Sequence, residues 1–447
     1  MKALILPLAL LFGPAQANCE TRVEISLAET QRQALAFSPE LKAAHEQENA
    51  ARESMLAAQA DRYPRLTFDG NYKYVSRIPE ISLANGSAMK LGDYNTYSLG
   101  PTLSWRLWDN GAISSSGLAL EAGYRAKKEQ RLALEKRLRL NARLAYVRAQ
   151  AANEKARLLA DGLKISQSQY GDISASVRAG SKNRIDELVA HRDVLARTNQ
   201  LSRARAELSS ALLELAALTG TQAGYSFDLP FPDNGTLPGE VPEASERIML
   251  EAFDALLKQM PSDSVPDVAS PSLRTLEETA LSLKLASDAL EAQRGPKLLF
   301  SARSSLDFPN GPQLYAFGQN SAGVTLSMPL FEKGKTSSQA GEKLALARAG
   351  TQTRAQLEQD IRRDWGKAQN QLSALFYQQT VNTAAIAEAQ DLAALMYRAY
   401  RDGRYTYFDV ESANLRTLEA QLQAADTAAQ ILAQQALLAS LSSGEEK

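Results

Sequence analysis

One cysteine, Cys19, and two histidines, His45 and His191, are all that the 447-residue chain contains of either type. A disulfide framework, a zinc site of Cys and His, and a Cys-His catalytic pair therefore lack raw material. No Ser, His and acid constellation is visible, and both histidines sit in helical stretches amid charge, the setting of surface residues rather than bases. Neither an enzyme activity nor a cofactor or metal is expected. An excess of cations is also missing, since 50 Lys plus Arg stand against 51 Asp plus Glu for a formal net charge of -1. That balance does not suit a nucleic-acid binder. Beyond the N-terminal stretch, no segment approaches the ~20 apolar residues of a spanning helix, which excludes a helical membrane protein. Length alone, at about 150 residues per domain, suggests about three ordinary domains.

What is present first is a targeting pattern. Lys2 precedes an apolar run from Ala3 to Phe12 and then Gly13, Pro14, Ala15, Gln16 and Ala17, a positive region, an apolar region and a small-x-small cleavage site. Residues 1–17 read as a secretory signal peptide, with the mature chain beginning at Asn18. Cys19 lies where a lipid anchor would sit, but Gln16, Ala17 and Asn18 do not make the usual lipoprotein box. It is expected to be unlipidated.

The remainder repeats itself. Leu103 to Gly111 (Leu, Ser, Trp, Arg, Leu, Trp, Asp, Asn, Gly) corresponds to Leu326 to Gly334 (Leu, Ser, Met, Pro, Leu, Phe, Glu, Lys, Gly) at an offset of 223. Val177, Arg178, Ala179, Gly180, Asp186 and Ala190 correspond to Tyr400, Arg401, Asp402, Gly403, Asp409 and Ala413 at the same offset of 223. A spacing of 69 residues between the two landmarks is thus kept in both halves, and chance rarely does that. The chain divides into a first repeat, 18–220, and a second, 272–447. Between them, residues 221–271 hold 7 of the 17 prolines and nine acids against Arg247 and Lys258. This reads as an irregular, solvated connector with one short helix near Glu243 to Lys258.

Each repeat reads helix, strand, strand, long helix, turn, helix. Leu27 to Arg62 is helical with a restart at Ser38 and Pro39. The period then becomes two: Leu66, Phe68, Gly70, Tyr72 and Tyr74 form one apolar face, and Tyr97, Leu99, Pro101, Leu103, Trp105 and Leu107 another. Leu298, Phe300, Ala302, Ser304, Leu306 and Phe308, then Ala322, Val324, Leu326, Met328 and Leu330, repeat the plan. Pro101 is a blemish, because proline cannot donate to a ladder. Gly111 to Gly180 and Gly334 to Gly403 are rich in the best helix formers. At ~1.5 Å per residue each would make a rod about 100 Å long. The returning helices span about Arg184 to Leu218 and Tyr407 to Leu441.

Each of the four strands has the ~9 to 11 residues that cross a bilayer when tilted. In lipid, unpaired backbone forces strands to close into a barrel. Four are too few to enclose an open lumen, so several chains must each contribute four. Tyr72, Tyr74, Tyr97, Trp105, Trp108, Phe308 and Phe331 suit interfacial girdles, with Val75 to Asp93 and Pro309 to Gln319 as external loops.

These features resemble the TolC-like outer membrane factors, or outer membrane efflux proteins. The resemblance rests on the strand-to-helix motif, aromatic, acid, x, Gly (Trp108, Asp109 and Gly111; Phe331, Glu332 and Gly334), and on the turn motifs Arg178 to Ala190 and Arg401 to Ala413. It implies a mainly α, internally duplicated fold with long helical hairpins. Three chains would make a periplasmic helical tunnel and share a 12-stranded β-barrel. Function would be that of an outer-membrane exit duct in tripartite efflux or type I secretion. The implied partners are a homotrimer, a periplasmic adaptor, an inner-membrane pump of ABC or RND type and outer-membrane lipid, with no nucleic acid. The missing lipoprotein box points toward the protein-secretion members.

The resemblance further implies that the turn motifs form the narrow periplasmic tip. Gly180 and Gly403 match the turn glycines, Asp186 and Asp409 the acids six residues later, and Tyr400 a gate tyrosine. Where some members carry Arg two residues after the second glycine, this chain has Tyr405, with Arg404 beside it. Ser412 replaces a second acid, with Glu411 beside it. Asp186, Asp409, Tyr400 and Arg404 are the expected constriction. Threefold symmetry would gather like acids into a ring favouring cations, and either Asp also suits a helix's first turn. The alternative, a periplasmic coiled-coil adaptor, should show one hairpin flanked by compact β domains; here two hairpins interrupt two strand pairs.

Overall fold

Helix formers in unbroken runs and alternating strands between glycine turns assemble, in a computed structural model, into a mainly helical chain with one principal antiparallel sheet. The structure describes residues 23–82, 88–220, 248–253, 255–256 and 265–442. The expected signal peptide, Cys19 and most of the expected connector lie outside them. In chain order the elements are β1 (Val23–Ile25), α1 (Leu27–Phe37), α2 (Pro39–Ala60), β2 (Arg65–Tyr74), β3 (Glu80–Ser82), β4 (Ala88–Lys90), β5 (Asn95–Trp108), α3 (Ala112–Arg178) and α4 (Arg184–Thr219). Then come β6 (Ile248–Leu250), α5 (Pro271–Ala292), β7 (Lys297–Phe308), β8 (Phe317–Ser327), α6 (Lys335–Arg401) and α7 (Tyr407–Leu441). Helices α3 and α6 are each 67 residues long, and α4 and α7 have 36 and 35. Gly117, Gly123, Gly162 and Gly171 do not interrupt α3. The helical restart falls at Ser38, whose side chain accepts the Leu41 N–H with Pro39 in the first turn, as a proline-started helix requires.

Two units make up the chain. One comprises Met1–Phe37, Arg139–Ser262 and Gln371–Ala436, the other Ser38–Leu138, Asp263–Asn370 and Leu437–Lys447. Small and branched side chains fill the first in three clusters, around Tyr146 with Leu27, Leu215 and Leu432, around Leu159 with Leu201 and Leu418, and around Tyr400 with Tyr407, Ile173 and Val410. Here the connector departs from the expected single helix: Ile248–Leu250 is a strand paired in parallel with Val23–Ile25. Next to it, the Tyr146 hydroxyl accepts the Glu251 N–H at 2.9 Å, and burial pushes that phenol up to about 12.

In the second unit, ion pairs fasten helices to one another, Arg131 of α3 to Glu48 of α2 at 2.7 Å and Arg125 of α3 to Glu278 of α5 at 3.0 Å. The sheet order is β2-β5-β7-β8, every pair antiparallel. Part of the expected external loop Val75 to Asp93 is a short hairpin of β3 and β4. Among the described residues no helix is long and apolar enough to cross a membrane.

Candidate functional site

Two places concentrate the unusual chemistry: the sheet, and the turns that join the long helices to their returning partners.

Cross-strand pairs in an antiparallel sheet share a face, so the register assigns the sides. Leu66 faces Leu103, Leu103 faces Ala302, and Ala302 faces Ala322; Trp105 faces Phe300, and Phe300 faces Val324. One continuous apolar face therefore crosses all four strands. It is open to solvent in the single chain, with Phe68 at 74% and Leu326 at 67% exposure. The opposite face is polar: Ser98 donates to Asp307 at 2.5 Å, Arg303 donates to Ser98 at 2.8 Å, and Thr67 donates to Asp69 at 3.1 Å. Among the described residues the outer edges of β2 and β8 have no strand partner. Pro101 sits in the inner strand β5, and the β5–β7 ladder skips it and Gly100, pairing Leu99 with Leu306 and Thr102 with Arg303. The missing N–H falls in that gap, which removes the objection to proline there.

The strand-to-helix motif has a conformational cause. Asn110 and Gly111 take φ of 55° and 86°, Lys333 and Gly334 of 47° and 79°. Two successive left-handed residues, closed by Ala112 N–H to Asp109 C=O at 3.1 Å and Lys335 N–H to Glu332 C=O at 3.1 Å, are the mark of a type I′ turn. The acid before them serves the helix start: Asp109 accepts the Gly111 and Ile113 N–H groups at 3.2 and 2.7 Å, and Glu332 accepts the Thr336 hydroxyl. Trp108, the last residue of β5, and Phe331, beyond the end of β8, are 53% and 86% exposed.

At the turns that follow them, both long helices end in the same motif. Gly180 and Gly403 take φ of 74° and 79°. Gly180 N–H bonds Val177 C=O and Ser181 N–H bonds Ser176 C=O; Gly403 to Tyr400 and Arg404 to Ala399 repeat the pattern. These are Schellman caps with glycine at the left-handed position. Asn183 caps α4 by accepting the Ile185 N–H at 3.1 Å.

The predicted gate residues separate into groups. Tyr400, 4% exposed, donates its hydroxyl to Asp186 at 3.4 Å. Burial, then the Asp186 carboxylate, pushes that hydroxyl up to about 12. Asp409 is not part of this contact, for its carboxylate takes the Thr406 N–H and hydroxyl at 3.0 and 2.8 Å and caps α7. The Arg404 side chain is exposed and has no side-chain partner among the described residues.

Several residues around these turns escaped sequence reasoning. Lys182 donates to the Tyr400 C=O at 2.9 Å with its ammonium 4.1 Å from the ring centroid. Tyr397 donates to Asp172 at 2.7 Å, and burial followed by that bond raises it to about 12. Arg192 donates to both Glu411 oxygens at 2.9 Å, so the acid beside Ser412 is engaged. Tyr407 is fully buried, stacks edge-on against Tyr400 and donates to Gln169 at 3.2 Å; burial and then Asp193 raise its pKa. Further along α4, Asp193 and Arg197 form a buried pair at 3.2 Å. The only sequence trace of Lys182 is that it stands two residues after Gly180, opposite Tyr405 in the second repeat.

Residues 31–221 match the model of the outer membrane efflux protein family. None of the curated proteins matches by sequence. Among solved structures, the chain is similar to CusC, described by its transmembrane channel formation, at TM-score 0.74 and 18% identity over 95% of this chain and 94% of that one. The Campylobacter jejuni CmeC outer membrane channel gives TM-score 0.73 and 14% identity over 100% and 96%. The open state of the Neisseria gonorrhoeae MtrE outer membrane channel gives TM-score 0.71 and 18% identity over 93% and 88%. The resemblance to TolC-like outer membrane factors thus stands on a family match through most of the first repeat and on the fold of nearly the whole chain. That fold is shared with the outer membrane channels just named.

Proposed function

We propose that this chain is the exit duct of a tripartite efflux or type I secretion system, three copies forming one channel through the outer membrane. The observation that carries the reading is the four-stranded sheet, apolar on one face, polar on the other and open at both edges. An apolar face belongs against lipid, and open edges cannot remain there unpaired. Joining β8 of one copy to β2 of the next removes every edge, and three copies give a lumen lined by the polar face. The long helical hairpins would line the periplasmic part of the duct. A periplasmic adaptor and an inner-membrane pump of ABC or RND type would deliver substrate to the hairpin tips.

In this reading residues 1–17 are removed on export, and the repeats 18–220 and 272–447, joined by 221–271, supply equivalent hairpins. Asp186, Asp409, Tyr400 and Arg404 surround the constriction. Tyr400 and Asp186 hold the two hairpins of one copy together, while Asp409 and Arg404 set the charge at the mouth. Unchanged conductance and cation selectivity in Asp186→Ala plus Asp409→Ala would remove those acids from the gate. Cell fractionation and bilayer recording test the whole: the protein should sediment with the outer membrane and conduct when reconstituted. A soluble periplasmic protein without conductance would reject it.

A further inference from the structure

We propose that Lys182 is the latch residue that keeps the tip of the duct closed, acting through its grip on Tyr400. This rests on the channel reading given above.

The turn of the first hairpin holds a single residue of the second at three points. Lys182 Nζ donates to the Tyr400 carbonyl at 2.9 Å. The same ammonium lies 4.1 Å from the centroid of the Tyr400 ring, inside the ~6 Å reach of a cation-π contact. Four residues on, Asp186 accepts the Tyr400 hydroxyl at 3.4 Å. The carbonyl, which also accepts the Gly403 N–H at 3.0 Å, belongs to the last turn of α6, the end of a helix where C=O groups carry partial negative charge and favour a cation. Other bonds between the hairpins at this level join helix residues: Tyr397 to Asp172, Arg192 to Glu411, and Tyr407, which opens α7, to Gln169. The duplication shows that Lys182 is not a general requirement of such turns, because its counterpart at the offset of 223 is Tyr405, which is 50% exposed. One cation, present in one of two equivalent turns, thus ties the two turns to each other. Without the ammonium, Tyr400 loses the hold on its carbonyl and ring and keeps only the Asp186 contact from that turn, which weakens the tie between the two turns.

Purified wild type, Lys182→Met, Lys182→Arg and the control Lys164→Met, which removes a charge from an exposed position on α3, are reconstituted in planar bilayers. Heat-resistant assembly is measured on the same samples. Lys182→Met is expected to raise the mean current about tenfold, equivalent to ~1.4 kcal/mol, and to increase preference for cations. Lys182→Arg and Lys164→Met should match wild type. A Lys182→Met channel that assembles and conducts like wild type overturns the latch and leaves the channel standing. So does a Lys182→Arg channel as leaky as Lys182→Met, and so does a Lys182→Met chain that no longer assembles, which would give the residue a folding role instead. A wild-type protein that neither enters the membrane nor conducts overturns the channel reading, and the latch with it.

Discussion

Replacing Asp193 by Ala should destabilise the helical unit far more than the loss of a surface ion pair, because of what is left behind. Asp193 and Arg197 are 4% and 3% exposed. The carboxylate accepts Arg197 Nε at 3.2 Å and the Ser166 hydroxyl at 2.6 Å. Removing one partner strands a buried guanidinium, at a cost of about 3 to 5 kcal/mol. With an unfolding entropy of ~2.1 cal/mol/K per residue, 447 residues unfolding together give about 0.9 kcal/mol/K, so the melting temperature should fall about 3 to 5 °C. The pair is nevertheless not fully satisfied, since Arg197 Nη1 is buried without a partner among the described residues. Replacing both residues, Asp193→Leu with Arg197→Met, should therefore be close to neutral or stabilising. Thermal melts followed by far-UV circular dichroism in detergent read all three chains. A single replacement that costs under ~1 kcal/mol, or a double one that costs as much as the single, would refute the reasoning.

Three further outcomes are expected. The Tyr397 and Tyr400 hydroxyls keep their protons from the ordinary value of 10.0 up to about 12 when folded; their contribution is complete below pH 10 and is lost as pH rises toward about 12. Current should therefore rise across that window, and a flat profile would contradict the closed-tip contacts. At Gly100, an added Cβ would lie 1.9 Å from the Ser304 carbonyl oxygen, so Gly100→Ala should part β5 from β7 and deplete the protein in outer-membrane fractions. Asp109→Ala removes the acceptor of two N–H groups at the start of α3 and should cost about 1 kcal/mol in the same melts.

Much of the fold was legible because local rules and global plan agree. Alternation placed the four main strands, although β8 starts at Phe317, inside the expected loop, and stops at Ser327, short of Met328 and Leu330; runs of helix formers bounded by Gly111, Gly180, Gly334 and Gly403 placed both 67-residue helices. Pro39 marked the restart. What sequence reasoning could not supply was pairing across distance. The parallel partner of Val23–Ile25 is Ile248–Leu250, two three-residue strands with no periodicity to measure, one inside an acidic, proline-rich stretch. The same limit applies at the turns after the long helices. The motif brought Gly180, Gly403, Asp186, Asp409 and Tyr400 to attention, yet a motif carries residue types and not partners. Asp409 spends its carboxylate on its own helix, whereas Lys182, inside the first turn motif but at none of its matched positions, reaches the other hairpin. The Asp193 and Arg197 pair was hidden for a similar reason, because charges four apart on a helix ordinarily mark a solvated face.

The central claim, that open strand edges are closed by other copies of the chain, is tested most directly by native mass spectrometry of the protein extracted from outer membranes in detergent. The account predicts an assembly of three chains that falls to one on heating. A stable single chain, or a pair, would leave the edges of β2 and β8 unpaired and contradict it.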